Sequence, residues 1–152
     1  MKKIVLSAIL LAGTAFTSVA QVNPNAIGVR LTSNFSNFGA EVSYQRGFGD
    51  NNRLELDLGA DISNSVYSLV GAFHWDYNLV AGLNWFVGPA VQFVTIGPLD
   101  GNLFGIGGQV GLEYDFNTND IPFLLSLDTR PMYFLNLGFG GNQVALGARY
   151  TF

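Results

Sequence analysis

The sequence predicts an all-β fold: an eight-stranded antiparallel up-and-down barrel that crosses a membrane. Three observations carry the prediction. Apolar and polar residues alternate with a period of two along almost the whole chain. Charged residues make up 12% and hydrophobic residues 49% of the 152 positions, where a soluble domain carries about a quarter charged residues. Beyond the first twenty residues, no stretch reaches the roughly 18 consecutive apolar residues of a transmembrane helix. Passage through lipid must then use a closed barrel, the other structure that satisfies every backbone group there.

The first twenty residues stand apart. "MKK" supplies a positive start, "IVLSAILLAGTAF" an apolar run, and "SVA" before Gln21 a small-residue cleavage pattern. Residues 1–20 are expected to be a secretory signal, and 21–152 a single barrel domain. The only lysines, Lys2 and Lys3, lie in that leader. Five arginines then face eleven acidic residues, a balance of −6. An acidic, lysine-free chain has no electrostatic footprint for nucleic acid. With no cysteine, an exported chain of this kind is not held by disulfides.

Eight strands follow in order. "AIGVRLT" places Ile27, Val29 and Leu31 on one face. "FGAEVSYQRGF" sets Phe38, Ala40, Val42 and Tyr44 against Glu41, Ser43 and Gln45. "RLELDLGADIS" alternates most cleanly, with Leu54, Leu56, Leu58, Ala60 and Ile62 against Arg53, Glu55, Asp57 and Asp61. "VYSLVGAFHWDY" opposes Tyr67, Leu69, Phe73, Trp75 and Tyr77 to Ser68, His74 and Asp76.

The fifth, "NWFVGPAVQFVT", is less regular. Pro89 shares a face with Trp85, Val87, Val91 and Phe93, and a proline within a strand predicts a bulge or break. "LFGIGGQVGLEYDF" puts Phe104, Ile106, Val110, Leu112, Tyr114 and Phe116 against Gln109, Glu113 and Asp115. "IPFLLSLDTRPMY" sets Phe123, Leu125 and Leu127 against Ser126, Asp128 and Arg130. The last strand, "GNQVALGARYTF", alternates Val144, Leu146, Ala148, Tyr150 and Phe152 with Gln143, Gly147 and Arg149. Turn signals separate the strands, and residues 78–83 form the least marked boundary. The connections at one end fall at about 33–36, 63–66, 96–102 and 134–142.

Alternation alone does not say which face is inside. A lipocalin-like secreted carrier would bury the apolar face around a hydrophobic ligand, and that reading stands as an alternative. The make-up of the two faces favours the reverse. The polar face is mostly Gly, Ala, Ser and Gln with scattered charges of both signs, which suits a crowded bore rather than a water-facing surface. The aromatic residues sort by depth. Tyr44, Phe48, Trp75, Tyr77, Trp85, Tyr114, Phe116, Phe123, Tyr150 and Phe152 would share one rim. Phe38, Tyr67, Phe93, Phe104 and Tyr133 would lie near the other, with aliphatic residues between. Two aromatic girdles around an aliphatic band mark a barrel in a bilayer.

The ending "ARYTF" resembles the last strand of Gram-negative outer-membrane β-barrel proteins. In that family the terminal aromatic strand implies recognition by the barrel-assembly machinery, and Tyr150 and Phe152 fit the pattern. Runs such as "RLELDLG", "LEYDF" and "LSLDTRP" are more loosely similar to small outer-membrane barrels of the Bacteroidota, a likeness that implies no activity. The family resemblance implies a porin-like, multi-pass protein of the cell outer membrane, with both termini periplasmic. It also implies a monomer contacting outer-membrane lipids and lipopolysaccharide. The connections on the presumed outer side are short, unlike the long ones of many small barrels with binding roles.

The principal constellation is the set of inward charges. Arg30, Arg130 and Arg149 fall on strands one, seven and eight, which become neighbours when the barrel closes. Glu41, Glu55, Asp57, Glu113 and Asp128 face the same bore. Buried charges need pairing and hydrogen bonds, so a salt-bridged plug is expected rather than an ion path. The alternative of a lipid-modifying enzyme would require the only histidine, His74, with Ser68, Ser126 or Asp76 as partners. No GxSxG elbow supports it, and the expectation is a non-catalytic protein. One histidine and no cysteine offer no credible metal cluster, and the "GIGG" run lacks a phosphate loop's strand–loop–helix setting, so no cofactor is expected. The last connection, "YFLNLGFGGN", is expected to be the longest and to offer Phe134, Leu135 and Phe139 for contact at the surface.

Overall fold

A computed structural model describes residues 22–34, 37–61, 65–97 and 101–152. Eight strands form one closed antiparallel barrel in sequence order: β1 (Asn25–Asn34), β2 (Asn37–Phe48), β3 (Asn52–Asp61), β4 (Val66–Val80), β5 (Leu83–Ile96), β6 (Gly101–Asp115), β7 (Phe123–Phe134) and β8 (Gly138–Thr151). The predicted leader, residues 1–20, lies outside the described residues. The barrel closes where β1 meets β8, with Ile27 opposite Tyr150 and Leu31 opposite Leu146. Both ends of the described chain lie at one end of the barrel, where the Phe152 amide donates to Asn25 O at 3.0 Å. That end is called the Phe152 end below, and the other the far end.

Period-two alternation becomes an inside and an outside. Leu56 is 52% and Leu58 61% exposed, while the alternate residues Glu55 and Asp57 are fully buried. The exposed row runs through Val29, Leu31, Val42, Leu112, Leu127 and Leu146 around the barrel. A water-soluble barrel would leave no such belt facing solvent. Hydrocarbon chains are the environment in which it costs nothing.

Aromatic side chains bound the belt. At the Phe152 end they touch: Tyr77 stacks on Trp85 with centroids 4.8 Å apart, Phe116 lies 4.7 Å from Tyr114 and 5.8 Å from Phe123, and Tyr150 lies 6.4 Å from Phe152. At the far end Phe38, Tyr67, Phe93, Phe104 and Tyr133 stand exposed on the same outer face.

One irregularity falls where expected, as a break at Pro89, and two fall elsewhere. Pro89 produces no register shift: pairing of β4 with β5 is interrupted between Ala72–Ala90 and Trp75–Val87, then resumes in the same register. Pro89 points outward, opposite Gly108, and its missing donor leaves a gap in the ladder rather than an extra residue. Shifts occur instead at Asn78/Val80 and at Pro131/Tyr133.

The 78–83 boundary is mostly strand, closed by a two-residue turn at Ala81 and Gly82. Gly82 has φ +78° there, and a Cβ would sit 2.9 Å from Asp115 O, so both conformation and space call for glycine. The expected long connection 134–142 is also shorter, because only residues 135–137 separate β7 from β8. Ile121 and Pro122, read as the start of the seventh strand, precede it and follow a short 3-10 helix at Phe116–Asn119.

Candidate functional site: the charged bore

An eight-stranded barrel is only wide enough for its own side chains. Here those side chains are ionic. Among the described residues, four arginines (Arg30, Arg53, Arg130 and Arg149) are buried in the bore with seven carboxylates. Register brings the first pair together: Arg30 on β1 lies directly opposite Glu41 on β2. Its guanidinium donates to Glu41, to Asp57 at 2.8 Å and to Asp128.

Arg130 donates to Asp57 and, at 3.5 Å, to the same Glu41 oxygen. Arg149 donates to Glu55 and Ser43 at 3.0 Å each and to Ser126 at 2.8 Å. Glu55 is the hub. It also accepts from Gln45 and, at 3.0 Å, from Gln109, and Arg30 and Arg130 lie 3.8 and 3.9 Å from it. Gln109 joins this hub to Asp128 at 3.1 Å and accepts from Arg130 at 3.2 Å.

The space for these long side chains comes from small inward residues. At Gly147 a Cβ would lie 2.5 Å from Ser126 Oγ, 2.9 Å from Arg149 Nη1 and 3.3 Å from Arg30 Cγ. Any larger residue on β8 at that level would displace an arginine from its partners.

A second cluster lies nearer the Phe152 end. Arg53 on β3 faces His74 on β4. It donates to Glu113 at 2.8 Å and to His74 Nδ1 at 3.3 Å, lies 3.3 Å from Asp76, and stacks over the Phe86 ring at 4.5 Å. Below it, Asn23 donates to Asp115 at 2.9 Å and Leu124 is fully buried. The void left at this level, bounded by Val22, Asn23 and Leu124, is about 10 Å³, room for about one water.

The structure therefore puts Arg30, Glu41, Glu55, Asp57, Asp128, Arg130 and Arg149 into one connected network, and Glu113 into the separate cluster around Arg53. Arg53 and its partner Asp76 were left out of the predicted charge set, although Arg53 shares a parity with Glu55 and Asp57. Phe86 was missed because an aromatic residue on the inward parity of β5 carries no polar signal. Tyr150 and Phe152 lie on the outer face of the closing strand, 56% and 61% exposed.

The enzyme alternative finds no geometry here. His74 is fully buried, its Nε2 has no hydrogen-bond partner and its Nδ1 faces Arg53. Ser126 accepts from Arg149, and Ser68 sits six residues from His74 along the same strand, roughly 20 Å away at strand rise. Asp76 shares the cluster with His74, but through Arg53. The lipocalin-like alternative fails on facing, since the apolar row is outside and the bore is ionic. Phe134, expected at the surface, turns inward and packs against the buried Met132, whereas Leu135 and Phe139 are exposed.

Such a molecule has the architecture of an eight-stranded transmembrane barrel, with aliphatic residues outside and a polar bore inside. Known structures agree on that fold. A de novo designed transmembrane β-barrel aligns with a TM-score of 0.66 at 14% identity, covering 89% of this chain and all of the design. Neisserial surface protein A aligns at 0.55 and 16% identity, over 84% of this chain and 95% of its own. The N-terminal β-barrel domain of Pseudomonas aeruginosa OprF aligns at 0.54 and 21% identity, over 86% of this chain and all of that domain. No protein-family model and no curated protein matches the sequence.

Proposed function

We propose that the protein is a non-catalytic barrel of a Gram-negative outer membrane, with a plugged bore and a structural or surface role. The observation that carries this reading is the ion-pair network joining β1, β2, β3, β6, β7 and β8 across the bore. A conducting channel of this strand number would have to give up that network, and no catalytic constellation lines the bore among the described residues. Outer-membrane proteins among the structural neighbours support the location. Both termini are assigned to the periplasm and the far rim to the cell surface, in contact with lipids and lipopolysaccharide.

Tyr150 and Phe152 are assigned as the signal read by the barrel-assembly machinery. Their exposure on the closing strand leaves them available to such a receptor. The likeness of "RLELDLG" to Bacteroidota barrels rests on sequence alone. The protein is taken to act as a monomer.

Two measurements test the reading. Reconstituted in a planar bilayer, the protein should carry no steady open-channel current, and a reproducible current would overturn the plug. Leu56→Arg, on the lipid side, should cost about 2–4 kcal/mol of folding stability in lipid vesicles. Unchanged stability in that variant would remove the membrane.

A further inference from the structure

The bore is not filled along its whole length. Above the Glu55 hub, toward the far end, lies a cavity of about 430 Å³, within the roughly 300–1,000 Å³ of ordinary small-molecule sites. Its closed end is the ion-pair network, which Glu41 joins to the cavity wall. Its sides combine two chemistries. Thr32, Ser68, Gln92 and Gln143 present neutral polar groups, while Val94, Met132 and Phe134 present an apolar wall. The cavity is therefore a blind cup with amphipathic walls.

Charge narrows what fits. Among the described residues lining the cup, Glu41 is the only ionisable one, and no lysine or arginine reaches the wall. The bore beneath carries more carboxylates than arginines. Gln143 adds a buried carbonyl-type acceptor, Oε1, that has no hydrogen-bond partner. A carboxylate and an unmet acceptor ask for donors. An anionic ligand such as a fatty acid or a phosphate would meet the Glu41 carboxylate first, because Arg30 and Arg130 lie behind it, both bound to its Oε2.

We propose that this cup binds a small amphiphilic ammonium compound, its head on Glu41 and Gln143 and its apolar body against Val94, Met132 and Phe134. The proposal does not depend on which way the barrel points in the membrane, nor on its role there.

Met132 supplies the readout. The chain has only two methionines, Met1 and Met132, so a ¹³C-methyl-methionine spectrum carries at most two signals, and Met132→Leu assigns the one in the cup. The full protein in lipid nanodiscs is titrated with phenethylammonium, and separately with 3-phenylpropionate, an acid of the same ring and chain length. The Met132 methyl should shift saturably with the amine and bind the acid at least about tenfold more weakly. Val94→Trp fills the cup without touching an ion pair and should abolish the shift while leaving the unfolding midpoint in place. Glu41→Gln should weaken amine binding by about tenfold. Equal response to acid and amine would show partitioning rather than recognition, and undiminished binding in Val94→Trp would place the amine elsewhere. Either result overturns the proposal, as does the absence of a saturable shift.

Discussion

The two halves of the bore are built on the same strands and filled in opposite ways. On β6 Leu103 lines the cup, and Gln109 and Glu113 follow in the filled half. On β7 the inward positions read Phe134 and Met132, then Arg130 and Asp128. On β8, Gln143 gives way to Arg149. Strand number sets the bore's width, and inward side-chain volume then decides whether a given level is a plug or a cavity. The outer face shows no matching change, because lipid asks the same of both halves. Stability and binding are thus separated along one axis, with the ionic half holding the barrel together and the neutral half left open.

The largest test of that division is Arg30→Met. Arg30 holds three carboxylates, Glu41, Asp57 and Asp128, and its loss leaves them buried with fewer cationic partners. Removing one partner of a buried pair costs about 3–5 kcal/mol, and that loss is expected in urea unfolding from lipid vesicles. If the barrel loses less than about 1 kcal/mol, the filled half is not what secures the fold. The same variant sharpens the plug reading, since an opened network should also admit current across a planar bilayer.

How much of this was legible beforehand follows from what each signal is made of. Facing was legible because it needs only parity: Leu56 outside and Asp57 inside follow from the period of the strand. Closure made β1 and β8 neighbours as expected, but with Arg30 opposite Gly147 and Arg149 opposite Gly28. Depth within the bore was less legible. Parity says that Arg53 and Glu113 face inward but not that they meet, because their contact crosses the barrel from β3 to β6 and depends on stagger. The cup was not legible at all. Apart from Glu41, its walls are small or neutral residues, and an empty volume is a sum of missing side chains that no single residue announces. Phe134 illustrates a different limit: it shares the inward parity of Asp128, Arg130 and Met132, but it was expected in the last connection, whereas β7 runs on through it.

Two aspartates allow a finer comparison within the filled half. Asp57 is held by Arg30 at 2.8 Å and by Arg130 as well. Asp76 has one cation, Arg53, at 3.3 Å, and neither of its oxygens makes a hydrogen bond. A carboxylate taken from water with so little return contributes little. Asp57→Asn should therefore cost about 2–3 kcal/mol, as charge-assisted bonds do, and Asp76→Asn close to nothing. Parallel urea titrations of the two variants measure the gap. Equal losses would mean that Asp76 is held by Arg53 as tightly as Asp57 is by Arg30 and Arg130, and the filled half would have to be treated as one network.

The smallest expected effect lies in the cup. Gln92 is 4% exposed and lines the cavity, away from every arginine's hydrogen bonds. Replacing it by leucine keeps the length, removes a polar group from a bounded space, and adds apolar contact with the Val94 and Met132 side of the wall. The two changes oppose each other, so Gln92→Leu should leave stability within about 0.5 kcal/mol of the parent, on either side. The variant should also leave the plug closed, with no current. A loss comparable to that of Asp57→Asn would show that Gln92 is bound into the ionic half, and the cup would then be a continuation of the plug rather than a separate chamber.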